Sequence, residues 1–421
     1  MAKVELSEDS KTGMETAGTA DLLVGVAVPV DAEQLRATAI RAIQGLGEHL
    51  PGLRTVVAFP GVGTLEAAKE DAQDGPAEVP NQMRFLPYTP APGSAVRIPS
   101  LTPAGTYQAL FAMARELGVT ACAVIGYDLA ALQSNFLAPV LAPVLDNRCE
   151  LAMPMYAMGK FDGLLNSSIL YPLTRALYGR RVRFPLASDF CVSSRMIPEL
   201  EIALQRSVQQ GQTLFWPATE AALRDRSVCQ VYVDTHHTPA ADGVDLSTIL
   251  AQTVGPLFLD AATNAALWQR IRSSQPGDVS GVPTPCPSDS AHADTTPMLE
   301  TFQLGFRNLQ EVWSLVLPPV TLMELKRLSR TNADRFHMPD ELWAKVVYDF
   351  ALAHRLRTLS RSHLLGALTP LYLGWLASYA LEVSNASPAE AEQRIEKLAR
   401  AYEEAKPYLL SRWRWPDRFN P

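Results

Sequence analysis

DLLVGVAVPV, residues 21–30, is a short apolar run rich in β-branched residues, and AEQLRATAIRAIQGLGEHL, residues 32–50, follows it with apolar positions at helical spacing. The pair reads as a strand and then a helix. LRTVVAFPG (53–61) repeats the strand pattern and stops at Phe59-Pro60-Gly61, after which TLEAAKEDA starts a second helix. Residues 71–105 are rich in proline and glycine and read as an irregular excursion. GTYQALFAMARELG (105–118) then predicts a helix, and ACAVIGYDL (121–129) a buried strand ending in a carboxylate. Alternation of this kind implies an α/β fold: a mostly parallel, Rossmann-like sheet with helices on both faces.

With 421 residues, 47% of them apolar, the chain can bury one large core and a second. Residues 1–20 read as a polar tail, 21–271 as the α/β domain, 272–297 as a Pro/Ser/Asp/Gly-rich exposed loop and 298–421 as an all-helical domain. The net charge of -7 argues against a nucleic-acid partner, which normally requires a basic face. Five scattered cysteines without a CxxC pair, and no apolar leader in the first twenty residues, fit a cytoplasmic chain. LLGALTPLYLGWLASYAL (364–381) has 18 uncharged residues, yet Pro370, Thr369, Ser378 and two tyrosines interrupt it. It reads as a buried core helix rather than a membrane span. The aromatic, basic chain end at SRWRWPDRFNP also suits a membrane surface, although such tryptophans more often dock on their own domain.

Several residues stand where chemistry is expected. Asp128 lies at a strand end, where open α/β sheets gather ligands, and a carboxylate there can hold a metal ion or a hydroxyl. Lys160, Asp162 and Gly163 form a patch in the loop after the next strand; the glycine permits close approach and the aspartate can accept sugar hydroxyls. Arg180, Arg181 and Arg183 follow Gly179, and a guanidinium presents a planar fork that matches phosphate. Arg181 and Arg183, two apart in a predicted strand, would share a face. Ion pairing with neighbouring acids is the alternative use of the same residues. Asp189 could orient a hydroxyl, and Tyr156 and Trp216 could stack on a base or sugar or fill core.

AVIGYDL, MYAMGKFDG, NSSILYPLTRALYGRRVRFP and SDFCVSS together resemble nucleotide-sugar glycosyltransferases of the GT-A fold, in particular the group of glucosyl-3-phosphoglycerate and mannosylglycerate synthases. The fainter correspondence runs from Asp21 to about Asp260, and a helical tail is also similar to that group. The resemblance implies transfer of a hexose, with retention, from a nucleotide-sugar donor to a small anionic acceptor. It implies a divalent cation, Mg²⁺ or Mn²⁺, held by Asp128 and His237, with Arg181 and Arg183 on phosphate and Asp162 and Asp189 positioning hydroxyls. Lys160, Gly163, Tyr156 and Trp216 would complete the substrate site.

The sequence departs from the family pattern on the donor side. Gly126-Tyr127-Asp128 keeps one carboxylate of an Asp-x-Asp motif; FPGVGTLEAA has no acid before Glu66; LTPAGTYQALF lacks a lysine; and Leu214-Phe215-Trp216 lacks the acid found beside the tryptophan. Oxygen-ligated Mg²⁺ tolerates one or two carboxylates, so Asp128 alone is compatible with a metal. Two readings stand on the sequence: a metal-assisted glycosyltransferase, or a non-catalytic relative that keeps the fold and an anion pocket as a binding or assembly module. The C-terminal helices suit either an extension of the acceptor pocket or a homodimer seam.

Overall fold

The computed structural model describes residues 18–27, 52–61, 83–91, 101–126, 136–186, 188–236, 244–284 and 293–416. Eight strands follow in chain order: β1 (Leu22–Val26), β2 (Thr55–Pro60), β3 (Met83–Tyr88), β4 (Ala121–Ile125), β5 (Leu151–Ala157), β6 (Phe190–Ser193), β7 (Val228–His236) and β8 (Asp278–Ser280). The helices are α1 (Ala104–Glu116), α2 (Leu137–Leu145), α3 (Tyr171–Tyr178), α4 (Ile197–Gln209), α5 (Pro217–Leu223), α6 (Leu246–Thr263) and the single turn α7 (Ala265–Trp268). Beyond them lie α8 (Thr296–Ser314), α9 (Pro319–Leu328), α10 (Asp340–Leu356), α11 (Arg361–Val383) and α12 (Pro388–Arg414). The chain divides into two compact units.

The first unit takes the described residues of Met1–Ala157, Arg183–Ala241 and Gly277–Thr284. Its sheet has the order β3-β2-β1-β4-β6-β5-β7-β8. Every strand runs parallel to the rest except β6, which is antiparallel to β4 and β5. All five residues of β1 and all five of β4 are buried, as in sheets covered on both faces, where strands need no polar alternation. Two strands fall where loops were expected. β3 lies within the 71–105 segment read as irregular, because Pro87 and three half-buried side chains mask a strand that pairs only with β2. β8 lies inside the 272–297 segment and is only three residues long.

Ion pairs tie the amino ends of β5 and β7 to neighbouring helices. Arg206 meets Glu220 at 3.3 Å, Glu220 also pairs with Arg224, Arg224 reaches Glu199 at 3.8 Å, Glu199 pairs with Arg226, and Arg226 reaches Glu150 at 3.6 Å. Hydrogen bonds from Arg226, the largest cause, hold Glu199 below the usual carboxylate range. Signs alternate along the chain of contacts, so Glu220 and Glu199 each lie between two arginines.

The second unit takes the described residues of Met158–Val182, Asp242–Pro276 and Pro285–Pro421. Residues 158–182 and 242–276 therefore pack with the helical unit, whereas the sequence reading placed 158–182 and 242–271 in the α/β domain. Pro172 sits in the first turn of α3, where a missing N–H costs least. Arg175 of that helix, 2% exposed at its side chain, pairs with Glu396 and Glu403 of α12. Lys406 of α12 donates to the carbonyls of Ala176 and Leu177, satisfying orphan oxygens at the end of α3, and to that of Ile271. Trp343 of α10 and Trp375 of α11 stack at 6.1 Å, and Tyr379 stacks on Trp375 at 5.2 Å. α11 is long and apolar enough to cross a membrane, but 72% of its apolar window is buried inside the protein. It is a core helix of this unit. Leu342, Val346, Val347 and Phe350 of α10, one apolar stripe in the sequence, are all buried. Trp413 packs edge-on against Trp268 at 5.2 Å, whereas Trp415 is 72% exposed.

Candidate functional site at the carboxyl edge of the sheet

The strand order reverses between β1 and β4. From β1 the sheet extends outward through β2 and β3, and β4 then lies on the other side of β1. At such a switch point the carboxyl ends of two parallel strands splay toward loops of opposite direction, leaving a crevice in which ligands of open α/β sheets bind. The two strands are joined up to their tips, where Ala27 N–H donates to the Ile125 carbonyl at 2.7 Å. The Tyr88 hydroxyl, buried at the end of β3, donates to the Val26 carbonyl at 2.7 Å.

Because β6 runs against its neighbours, the residue before its first position reaches the carboxyl edge of β4. Phe190 is in register with Val124, and Asp189 therefore arrives beside Gly126. Asp189 is 1% exposed. One of its oxygens accepts the Gly126 N–H at 2.9 Å, and the other accepts the Tyr156 hydroxyl. A buried carboxylate that takes an N–H and an O–H compensates for its lost hydration and fixes the donors it binds. Asp189 thus clamps the tip of β4 to the end of β5. Gly126 is required there: a Cβ at this position would stand 2.5 Å from Thr102 Oγ1 and 2.6 Å from Ser188 Cβ. Tyr107 is buried, and burial raises the pKa of its hydroxyl well above the ordinary phenol value. Gly126 is the last described residue before the Tyr127-Asp128 pair.

The two expected metal ligands, Asp128 and His237, lie outside the described residues, and so does the fit of a cation to them. His236 ends β7, with its backbone in register with Ala157. Among the described residues no three His, Cys, Asp or Glu side chains gather as a metal-binding group.

The other expected residues divide between the units. In the first, Tyr156 is buried and meets Phe184 edge-on at 5.4 Å. Arg183 is 7% exposed, with its guanidinium over the Phe184 ring at 5.0 Å and its backbone N–H donating to Gln230 Oε1 at 2.6 Å. Trp216 is buried at the start of α5, and its indole N–H has no hydrogen-bond partner among the described residues. In the second unit, Lys160 Nζ donates to the Ser384 carbonyl at 3.0 Å, and the Lys160 carbonyl accepts the Tyr379 hydroxyl at 2.9 Å. This lysine is a tether within the helical unit. Asp162 accepts the Gly159 N–H at 2.9 Å and closes its own turn. Gly163 has φ 56, and a Cβ there would meet the Met158 methyl at 2.7 Å. Arg181 donates from Nε to Ser274 Oγ at 2.9 Å.

Arg181 and Arg183 do not form the strand expected for them. Arg180 makes one isolated bridge to Gln275, and the described residues between Arg181 and Asp189 belong to no strand. The shared face inferred from a two-residue spacing is therefore withdrawn. Tyr88, Thr102 and Tyr107 carried no sequence signal for this edge, since Tyr88 sat in a segment read as irregular and Tyr107 in an ordinary apolar helix. Gly126 was visible only as part of its tripeptide.

No protein-family model and no curated protein sequence matches the chain. Among solved structures it is similar to glucosyl-3-phosphoglycerate synthase from Mycobacterium tuberculosis in complex with Mn²⁺, uridine-diphosphate and phosphoglyceric acid, with a TM-score of 0.36 and 16% identity over 59% of this chain and 80% of that one. The same enzyme with Mn²⁺, uridine-diphosphate and glucosyl-3-phosphoglycerate aligns over 67% of this chain and 96% of that one, again at 0.36 and 16%. A mycobacterial protein aligns with a TM-score of 0.33 and 14% identity over 59% of this chain and 76% of that one.

Proposed function

We propose that the chain is a glycosyltransferase that moves a hexose from a nucleoside-diphosphate sugar to a small anionic acceptor at the carboxyl edge of β1 and β4. The observation that carries this reading is the Asp189 clamp. A buried carboxylate is spent on holding the Gly126 N–H and the Tyr156 hydroxyl, which fixes the strand tip from which Tyr127-Asp128 departs, at the switch point of the sheet. Asp189 acts here as a positioning residue, since both its oxygens are occupied within the protein.

In this assignment Asp128 and His237 hold a divalent cation, which when bound supplies positive charge against the donor diphosphate. The chain's own part is electrostatic and geometric. Arg183 contacts phosphate or acceptor carboxylate, and a guanidinium partly withdrawn from water binds such oxygens more strongly than an exposed one. No protein nucleophile is required, because stabilising the departing diphosphate is the larger contribution in such transfers.

Nucleoside-diphosphate release from a panel of nucleoside-diphosphate hexoses, with Mn²⁺ and with or without small phosphorylated acids, tests the proposal. Acceptor-dependent release that falls by about a hundredfold in Asp128→Ala is expected, the scale of losing one main electrostatic contact. Absence of release with every donor would favour the non-catalytic binding module, and release unaltered in that variant would remove Asp128 from the cation site.

A further inference from the structure

Gln230 stands within β7, 4% exposed, among the buried apolar residues Cys229, Val231 and Val233. Its backbone lies in register with Met153 of β5 and Val279 of β8, so the sheet continues on either side of it. A buried amide in such a strand costs free energy unless it is hydrogen-bonded. The Gln230 side-chain oxygen accepts the Arg183 N–H at 2.6 Å. Arg183 is buried and belongs to no strand, so its main chain has no ladder to join and its N–H must find an acceptor elsewhere. The Arg183 guanidinium lies over the Phe184 ring at 5.0 Å, and that ring meets Tyr156 at 5.4 Å with 72° between the planes. Tyr156 in turn donates to Asp189, which holds the Gly126 N–H. One run of contacts within the first unit therefore leads from Gln230 through Arg183 to the tip of β4.

We propose that Gln230 and Phe184 are positioning residues for anion binding: the amide fixes the Arg183 backbone and the ring fixes its guanidinium, so that the anion grip and the tip of β4 are one piece. The inference rests on the reading of Arg183 as the residue that meets phosphate or acceptor carboxylate. An arginine side chain has many rotamers, and ordering it on binding costs affinity; a guanidinium held in place beforehand avoids that cost. Its planar fork must also face two oxygens at once, so a shift of the backbone or of the ring beneath it misdirects both bonds. Gln230 acts through Arg183, since its side-chain oxygen is taken by the main chain there. Phe184 acts through the same arginine from the opposite end of its side chain. A purely structural use of Gln230 would satisfy the same N–H and leave anion affinity untouched, which separates the two roles.

Calorimetric titration of the full chain with inorganic pyrophosphate reads the grip directly. Arg183→Ala should weaken binding by about tenfold or more. Gln230→Met, which keeps the length of the side chain and removes the acceptor, should weaken it by about five- to tenfold. Phe184→Leu should weaken it by about threefold, and it keeps the proposal testable if Gln230→Met does not fold. Arg183→Ala/Gln230→Met should bind no more weakly than Arg183→Ala alone, because Gln230 acts only through that arginine. A Gln230→Met protein with a lower melting temperature and unaltered affinity overturns the proposal, and so does a double variant that loses the full effect of both changes. Pyrophosphate binding indifferent to Arg183→Ala, or absent from the unsubstituted chain, overturns it as well. Nucleoside-diphosphate release is scored separately: a chain that binds pyrophosphate with this dependence on Arg183 and Gln230 but releases none supports the positioning roles and removes the transferase reading.

Discussion

Asp189 receives two donors that originate far apart in sequence, Gly126 and Tyr156, and their convergence depends on a strand that runs against the rest of the sheet. Asp189→Asn retains one acceptor oxygen and introduces an N–H toward a donor, which should cost about 1–3 kcal/mol of stability. Tyr156→Phe should cost about 1 kcal/mol. The double variant should lose less than the sum, because both changes act on one hydrogen bond, and urea denaturation of the four proteins measures the coupling. Strict additivity would show that the clamp does not operate as a unit. Asp189 was legible in the sequence as an acid near a motif, but its commitment to the protein interior was not, since strand direction leaves no mark in composition. Lys160 shows the same limit. A lysine in a glycine-containing loop suggests an anion, whereas its ammonium is held by the Ser384 carbonyl, 224 residues away.

Among the helices, α10 carries an ionisable group with a readable consequence for stability. His354 is 3% exposed and lies edge-on to Phe258 at 5.8 Å. Burial first, and then the charges of Arg361 and Arg357, lower its pKa to about 4. The folded protein therefore binds fewer protons here than the unfolded chain, whose imidazole titrates near 6.5. The stability contributed by the neutral ring is complete above the unfolded value and is lost as pH falls through the folded one. Between these limits unfolding free energy should drop by roughly 2–3 kcal/mol. Guanidinium denaturation at stepped pH should show that slope, and His354→Gln should flatten it. An unchanged slope would place the acid sensitivity elsewhere.

Elements were legible where burial on both faces wrote an uninterrupted apolar run. β1, β2 and β4 are of that kind, and α1, α10 and α12 declared themselves through helical spacing. β3 and β8 were not legible: one carries a proline at the sheet edge, and the other is three residues long in a proline-rich stretch. Short edge strands are specified by a neighbour's free hydrogen bonds more than by their own side chains.

At the scale of the whole molecule, the sequence anticipated an α/β part and a helical part but not how the chain alternates between them. Residues 158–182 and 242–276 belong to the helical unit although strands of the sheet precede and follow each. Arg175, Lys406 and Trp268 are the residues responsible, and their partners are more than 100 positions distant in sequence. Contacts of that range are invisible to local periodicity, as is the division that leaves Arg180 and Arg181 in one unit and Arg183 in the other. The switch point and the Asp189 clamp both lie at the strand tip that ends at Gly126, where the proposed function places a nucleoside diphosphate. The most direct measurement is the melting temperature of the full chain with nucleoside diphosphates, with and without Mn²⁺. A ligand held a hundredfold above its dissociation constant stabilises the folded state by about 2.7 kcal/mol. The account predicts a Mn²⁺-dependent rise for at least one base, abolished by Asp128→Ala; no rise with any nucleotide, with or without the metal, would contradict it.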